Sequence, residues 1–197
     1  MERKEASQPG KLILDITMSL DGYVAGPNIS TTHPLGEGGE RLHRWIFEEK
    51  TETDGAVLAE TVDTSGAIIV GGRTYFLAID SGWGGKTPFA APAFVLSHRS
   101  PQTNVSGFTF VHDGIESALA QAKAVAGEKS IWLMGGADII QHYLKAGLVD
   151  EVQIHIAHVL LGGGTRLFDT LAQHLELTKT RLIASDGITH LRFKVVK

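Results

Sequence analysis

Two segments of the sequence end an apolar run in paired glycines just where a helix would begin: "IWLMGGADII" at Ile131–Ile140 and "GAIIVGGRTY" at Gly66–Tyr75. A helix start exposes unpaired backbone N–H groups and the positive end of the helix dipole, and glycine lets a phosphate reach them. For Gly135, Gly136, Ala137 and Asp138 the alternative is strand-to-helix geometry alone, with Asp138 capping its own helix. The second copy places Gly71, Gly72, Arg73 and Thr74 at the same kind of turn. A cation at a helix start opposes the dipole, so Arg73 calls for an anionic ligand or for a neighbouring carboxylate. In a third segment, "VLSHRSP", a strand ends in Ser97, His98 and Arg99. Ser97 and Arg99 suit a phosphate monoester, Arg through its bidentate fork. Three such strand ends predict one extended ligand with several phosphates along the carboxyl edge of a sheet. An adenine dinucleotide with an added 2′-phosphate fits. No "GK[ST]" follows either of these glycine pairs and no G-x-G-x-x-G is present, so a Walker-type site is not expected and the usual dinucleotide fingerprint is missing.

Other residue types narrow the chemistry by what they lack. The chain has no cysteine, which excludes disulfides, thiolate catalysis and Cys-ligated zinc. His155 and His158 are three apart on a predicted strand and so face opposite ways, and His33 and His43 have no paired spacing; no metal site is expected and most histidines are expected at the surface or half-buried. The acids placed to donate a proton are Asp21 in the "SLDG" turn and Glu37 and Glu40 in the loop after it. Asp21 has an alternative role, capping its own turn. Trp45 and Trp83 lie in or beside long loops, where they would cover a planar ring or simply pack.

These groups need a frame. "KLILDITMSL" is apolar on both parities, as a strand buried on two faces should be. Pro27–Glu40 is a Gly/Pro/Ser/Thr-rich loop, "RLHRWIFEEK" and "DGAVLAETV" read as helices, and "AFVLS" and "FTFVH" as short strands. "DGIESALAQAKAVAGEK" is the clearest helix: Asp113 and Glu116 resemble a capping box, Ile115, Leu119, Ala122 and Val125 share a face, and Gly127 ends it. "SIWLM" is a strand and "ADIIQHYLKAG" a helix with Ile140, Tyr143 and Leu144 in one stripe. The alternation in "VDEVQIHIAHVLL" over 149–161 predicts a strand with one wetter face, and "DG" between "LELTKTRLIAS" and "THLRFKVVK" predicts a hairpin. The sum is an α/β fold with a mostly parallel central sheet and an antiparallel C-terminal hairpin edge.

At 197 residues and 43% hydrophobic content the chain suits one domain, expected over 11–197 after a disordered tail at 1–10. A net charge of −4 gives no general attraction to nucleic acid or anionic membranes. The polar start "MERKEASQPG" is no secretory signal and no apolar run approaches the ~20 residues of a membrane helix, so a cytoplasmic location is expected. The 23 glycines cluster in loops.

With these residues assembled, the chain resembles the dihydrofolate-reductase-like superfamily. It is most similar to the reductase domain of the bacterial riboflavin-biosynthesis deaminase–reductase and its stand-alone relatives. "MSLDGYVAG", "VGGRTY", "VLSHR" and "MGGADII" carry the resemblance, and "GLVDEVQIHIAHVLLGGGTRLF" is its most specific stretch. The resemblance implies a three-layer reductase fold and NADPH as cofactor. Its nicotinamide would lie near Thr17, Met18 and Ala25, and Gly71, Arg73, Thr74, Ser97, Arg99, Gly135, Gly136 and Ala137 would bind the rest, with Gly72, His98 and Asp138 beside them. It implies reduction of a small heterocyclic or carbonyl substrate, with the pyrimidine ribosylamine of riboflavin biosynthesis the leading reaction, and a homodimer. A pteridine substrate and an inactive nucleotide-binding module are the rival expectations. Two positions depart from the family pattern: Gly72 stands where arginine is usual, with Arg73 one residue later, and Tyr23 stands where a lysine is usual.

Overall fold

A computed structural model describes residues 10–169, 171 and 173–197. The tail expected at 1–10 lies outside the described residues except for Gly10, which sits in a turn. The first half holds β1 (Leu12–Ser19), β2 (Tyr23–Ala25), a 3-10 turn (Gly39–His43), α1 (Arg44–Phe47), α2 (Glu52–Thr64), β3 (Ser65–Gly71) and α3 (Gly72–Ala78). Then come β4 (Ala93–Leu96), β5 (Phe108–Val111), α4 (Ile115–Ala126), β6 (Ser130–Gly135) and α5 (Ala137–Lys145). β7 (Glu151–Ala157), β8 (Thr165–Arg166), β9 (Leu177–Ala184) and β10 (Ile188–Val195) complete the chain.

Eight strands form one sheet in the order β5-β4-β3-β6-β1-β7-β10-β9. The pairings from β5 through β7 are parallel, and β10 and β9 run antiparallel at the far edge, as the hairpin signal predicts. β2 and β8 make a small ribbon of their own. The even-numbered residues of β1, Leu12, Leu14 and Met18, join Ala67 and Ile69 of β3 in a core closed by Leu119 and Ala122 of α4 and Ile140 and Tyr143 of α5. The opposite face is covered by α2 and, toward β4, by α3, whose Tyr75 packs on Val70 and Val95. Helices on both faces of a mostly parallel sheet make the three layers.

Three local expectations are corrected. α4 starts at an N-cap Gly114 with φ 106 and no side-chain cap, while Asp113 accepts from Ser117 Oγ at 3.0 Å, so no capping box forms there. Val125 is 51% exposed, and Ala118 and Ala126 fill the packed face in its place. β7 is shorter than 149–161 and has no wet face: it lies between β1 and β10, and Gln153 and His155 are buried because other strands and α2 supply hydrogen-bond partners.

Candidate functional site

Because β4, β3, β6 and β1 are parallel neighbours, their carboxyl ends fall along one edge of the sheet, each about 4.8 Å from the next. The three sequence motifs meet there. A Cβ on Gly72 would come within 2.5 Å of Ser97 Oγ, and one on Gly136 within 3.1 Å of Thr74 Oγ1. A Cβ on Gly71 would lie 3.4 Å from the backbone nitrogen of Gly136. The glycines therefore let the β3–α3 turn touch both the end of β4 and the β6–α5 turn, whose Gly135–Gly136 peptide is cis. Ser97 Oγ receives the backbone N–H of Arg99 at 3.0 Å, and the guanidinium of Arg99 lies 4.7 Å over the Phe76 ring. Arg73 is exposed and has no carboxylate partner among the described residues, so the ion-pair alternative for it is not realised. His98 is exposed beside Arg99, and His112 Nδ1 contacts the Ser97 carbonyl at 2.5 Å. Asp138 does not cap α5, whose N-cap is Gly136; it is exposed and faces His142 at 3.7 Å.

The end of β1 forms the next part of the edge. Thr17, Met18 and Ala25 are all buried, Met18 within the α4–α5 core and Thr17 on the α2 face. Trp45 is buried and donates from Nε1 to Thr17 Oγ1 at 3.1 Å, so it packs inside the fold instead of covering a ligand; Trp83 stacks on Phe108. Asp21 accepts from Ser19 Oγ at 2.6 Å and from the backbone N–H groups of Leu161 at 3.1 Å and Gly162 at 2.7 Å. The Ser19 hydroxyl, then those backbone donors, hold its carboxyl below the usual range despite partial desolvation. It is an anion that pins the glycine loop 162–164. Glu37 and Glu40 are exposed. The 26–37 loop is folded on itself through Gly26 N–H to Leu35 O at 2.8 Å and Glu37 N–H to Pro27 O at 2.8 Å.

Beneath the β1 end lies a buried polar cluster that the sequence does not announce. His155 Nε2 meets Asp15 Oδ1 at 2.9 Å, His190 Nε2 meets Asp54 Oδ1 at 3.0 Å, and the two Nδ1 atoms stand 2.6 Å apart. All four residues are at most 6% exposed; His155 and His190 are the buried exceptions among histidines that otherwise lie exposed or half-buried, as expected. His43 is a third inward histidine, its Nδ1 buried without a partner. The available signal was an acid and two polar residues, Asp15, Gln153 and His155, inside otherwise apolar strands. Their partners lie 35 to 140 residues away in sequence, so no local pattern joins them. Among the described residues no acid and histidine group has the geometry to hold a metal ion.

Residues 10–189 match the family model described as the RibD C-terminal domain. The chain is 28% identical over 173 residues to the uncharacterized protein YwjB of Bacillus subtilis strain 168, covering 85% of this chain and 87% of that one. Among solved structures it is similar to a Shewanella sp. PV-4 protein named for riboflavin biosynthesis, with TM-score 0.72, 25% identity, and coverage of 95% and 99% of the two chains. It is also similar to dihydrofolate reductase from Enterococcus faecalis complexed with NADP(H), with TM-score 0.64, 16% identity, and coverage of 95% and 98%.

Proposed function

The chain belongs to the RibD C-terminal domain family, a family of reductase domains, and from that premise we propose that it is an NADPH-dependent reductase of a small heterocyclic substrate. The observation that carries the cofactor assignment is the contact of three strand-end turns along one edge of the sheet, with Gly72 seated against Ser97 and Gly136 against Thr74. The donor set fits an NADP-type dinucleotide. Ser97 and Arg99 hold the 2′-phosphate, with Arg99 oriented by Phe76; Arg73 adds an unpaired cation; the glycine turns leave room for the pyrophosphate beside the start of α5. The Enterococcus faecalis reductase of the same fold is itself complexed with NADP(H). When bound, the cofactor supplies a hydride, and the chain's own part is to orient it at the β1 end and keep water from the reacting face.

The pyrimidine ribosylamine of riboflavin biosynthesis is the leading substrate. The cation that Tyr23 fails to supply comes from Arg166, whose guanidinium lies 4.5 Å over the Tyr23 ring and donates to the Asp21 carbonyl at 3.3 Å. A substrate phosphate at this turn therefore still meets a positive charge. Asp21, held as an anion by three donors, serves as an anchor for the rim loop, which leaves Glu40, exposed in the 3-10 turn, as the candidate proton donor.

Fluorescence titration with NADPH and NADH tests the assignment. The expected result is a clear NADPH preference, with Arg99→Ala weakening NADPH about tenfold or more while leaving NADH nearly unchanged. Equal losses for both would remove Arg99 from the 2′-phosphate. Turnover of dihydrofolate with none of the ribosylamine would move the substrate to a pteridine.

A further inference from the structure

The cluster of Asp15, His155, His190 and Asp54 fixes its own proton count. Besides His155, Asp15 accepts on Oδ2 from Thr61 Oγ1 at 2.8 Å and Gln153 Nε2 at 2.6 Å. Besides His190, Asp54 accepts from Ser185 Oγ at 2.7 Å, Thr51 N–H at 3.0 Å and Thr51 Oγ1 at 2.7 Å. With donors on every side, both carboxylates are ionised acceptors, and each histidine Nε2 carries a hydrogen. The facing Nδ1 atoms are 2.6 Å apart. Two lone pairs or two N–H groups would repel at that distance, so one proton lies between them. Three protons on four ring nitrogens make one positive charge across the pair.

We propose that His155 and His190 share this proton as a buried cationic pair, and that the pair positions Thr17 at the end of β1 through the indole of Trp45. The Trp45 ring is 4.8 Å from the His155 ring and 5.1 Å from the His190 ring, within the range at which a cation attracts an aromatic face. Its Nε1 donates to Thr17 Oγ1, so the threonine hydroxyl keeps its own hydrogen for a further acceptor. The step from pair to Trp45 to Thr17 rests only on the geometry; its value for binding rests on the NADPH reading above.

The charged surroundings agree. The pair faces Asp15 from β1, Asp54 from α2 and His43 from the 3-10 turn. Farther along the same face, Glu60 of α2 bonds Arg181 of β9 and Arg192 of β10, and Arg192 also bonds Glu151 of β7. Burial, then the charge of His155, pushes His43 down to about 4, so it stays neutral beside the pair. With the shared proton in place the four-residue cluster carries one net negative charge.

Nuclear magnetic resonance on protein labelled with 15N-histidine tests the proposal without any ligand. The expected signal is a far-downfield exchangeable proton correlated with Nδ1 of both residues, lost in His155→Asn and in His190→Asn. Two neutral rings in the wild type, with no shared proton, would overturn it. His190→Asn keeps a hydrogen-bonding group opposite His155 but carries no charge, so the Trp45 indole N–H resonance should shift; an unmoved resonance would overturn the positioning step. The NADPH dissociation constant gives the third arm. His190→Asn should bind NADPH about three- to tenfold more weakly than the wild type. Equal affinity in the variant and the wild type would overturn the link to binding. Absence of NADPH binding in the wild type, with the shared-proton signal present, would sink the cofactor reading and leave the pair standing.

Discussion

Asp54 shows how much one side chain can be asked to hold. It closes a capping box with Thr51 at the start of α2 and also accepts from Ser185 and His190. Replacing it with Ala strands the buried His190 Nε2 and the half-buried donors of Ser185 and Thr51 and removes the cap, for an expected loss of about 2–4 kcal/mol read by denaturant unfolding. The hydrogen bond from His190, then those from Ser185 and Thr51, outweigh desolvation and bring its pKa down from 3.8 to about 2. Its folded value lies below its unfolded one, so its stabilisation is full above 3.8 and is lost as pH falls toward about 2. His43 acts earlier on the same acid limb. Its folded value of about 4 against 6.5 means that the unfolded chain binds the extra proton first, so stability falls as pH drops from 6.5 to about 4. His43→Phe should flatten that part of the curve; an unchanged slope would show that His43 is not buried in solution.

The strand–glycine–helix units are the elements most legible in the sequence. An apolar run closed by paired glycines predicts both β3–α3 and β6–α5, and the "DG" turn predicts β9–β10. What the sequence did not show was that Gly72 is a packing requirement as well as a turn. Its Cβ would meet Ser97 Oγ at 2.5 Å and Ser97 Cβ at 2.6 Å, whereas a Cβ on Gly163 meets nothing within 4 Å. Gly72→Ala is therefore expected to cost about 1–3 kcal/mol and to weaken NADPH, with Gly163→Ala near neutral in both; thermal melts and the same titration check this. The burial of the polar residues of β7 has a related cause. Val152, Gln153, Ile154 and His155 alternate like a half-exposed strand, and the groups that bury them come from β1, α2 and β10. The long-range partners decided burial there, and alternation alone could not.

At the scale of the whole molecule, the sheet has one hydrophobic margin left open. β9 is its last strand, largely exposed, with Leu177 and Leu182 at 43% and 55%, and Val196 beside it at 50%. An unpaired edge with apolar side chains is a surface for a second copy, and we propose a homodimer through it. Light scattering should give about twice 21.2 kDa; a single 21.2 kDa species would refute the dimer. No helix among the described residues is long and apolar enough to cross a membrane. The two ends of the described chain have a further consequence. Lys11 bonds Glu151 at 3.0 Å and Lys197 bonds Asp150 at 2.6 Å, so both lie together where β1 and β7 begin, at the margin of the sheet opposite the glycine turns. A tether fixed near either one, to a bead, an electrode or a fused reporter, would hold the molecule by its back and leave the glycine-turn edge open to whatever diffuses past.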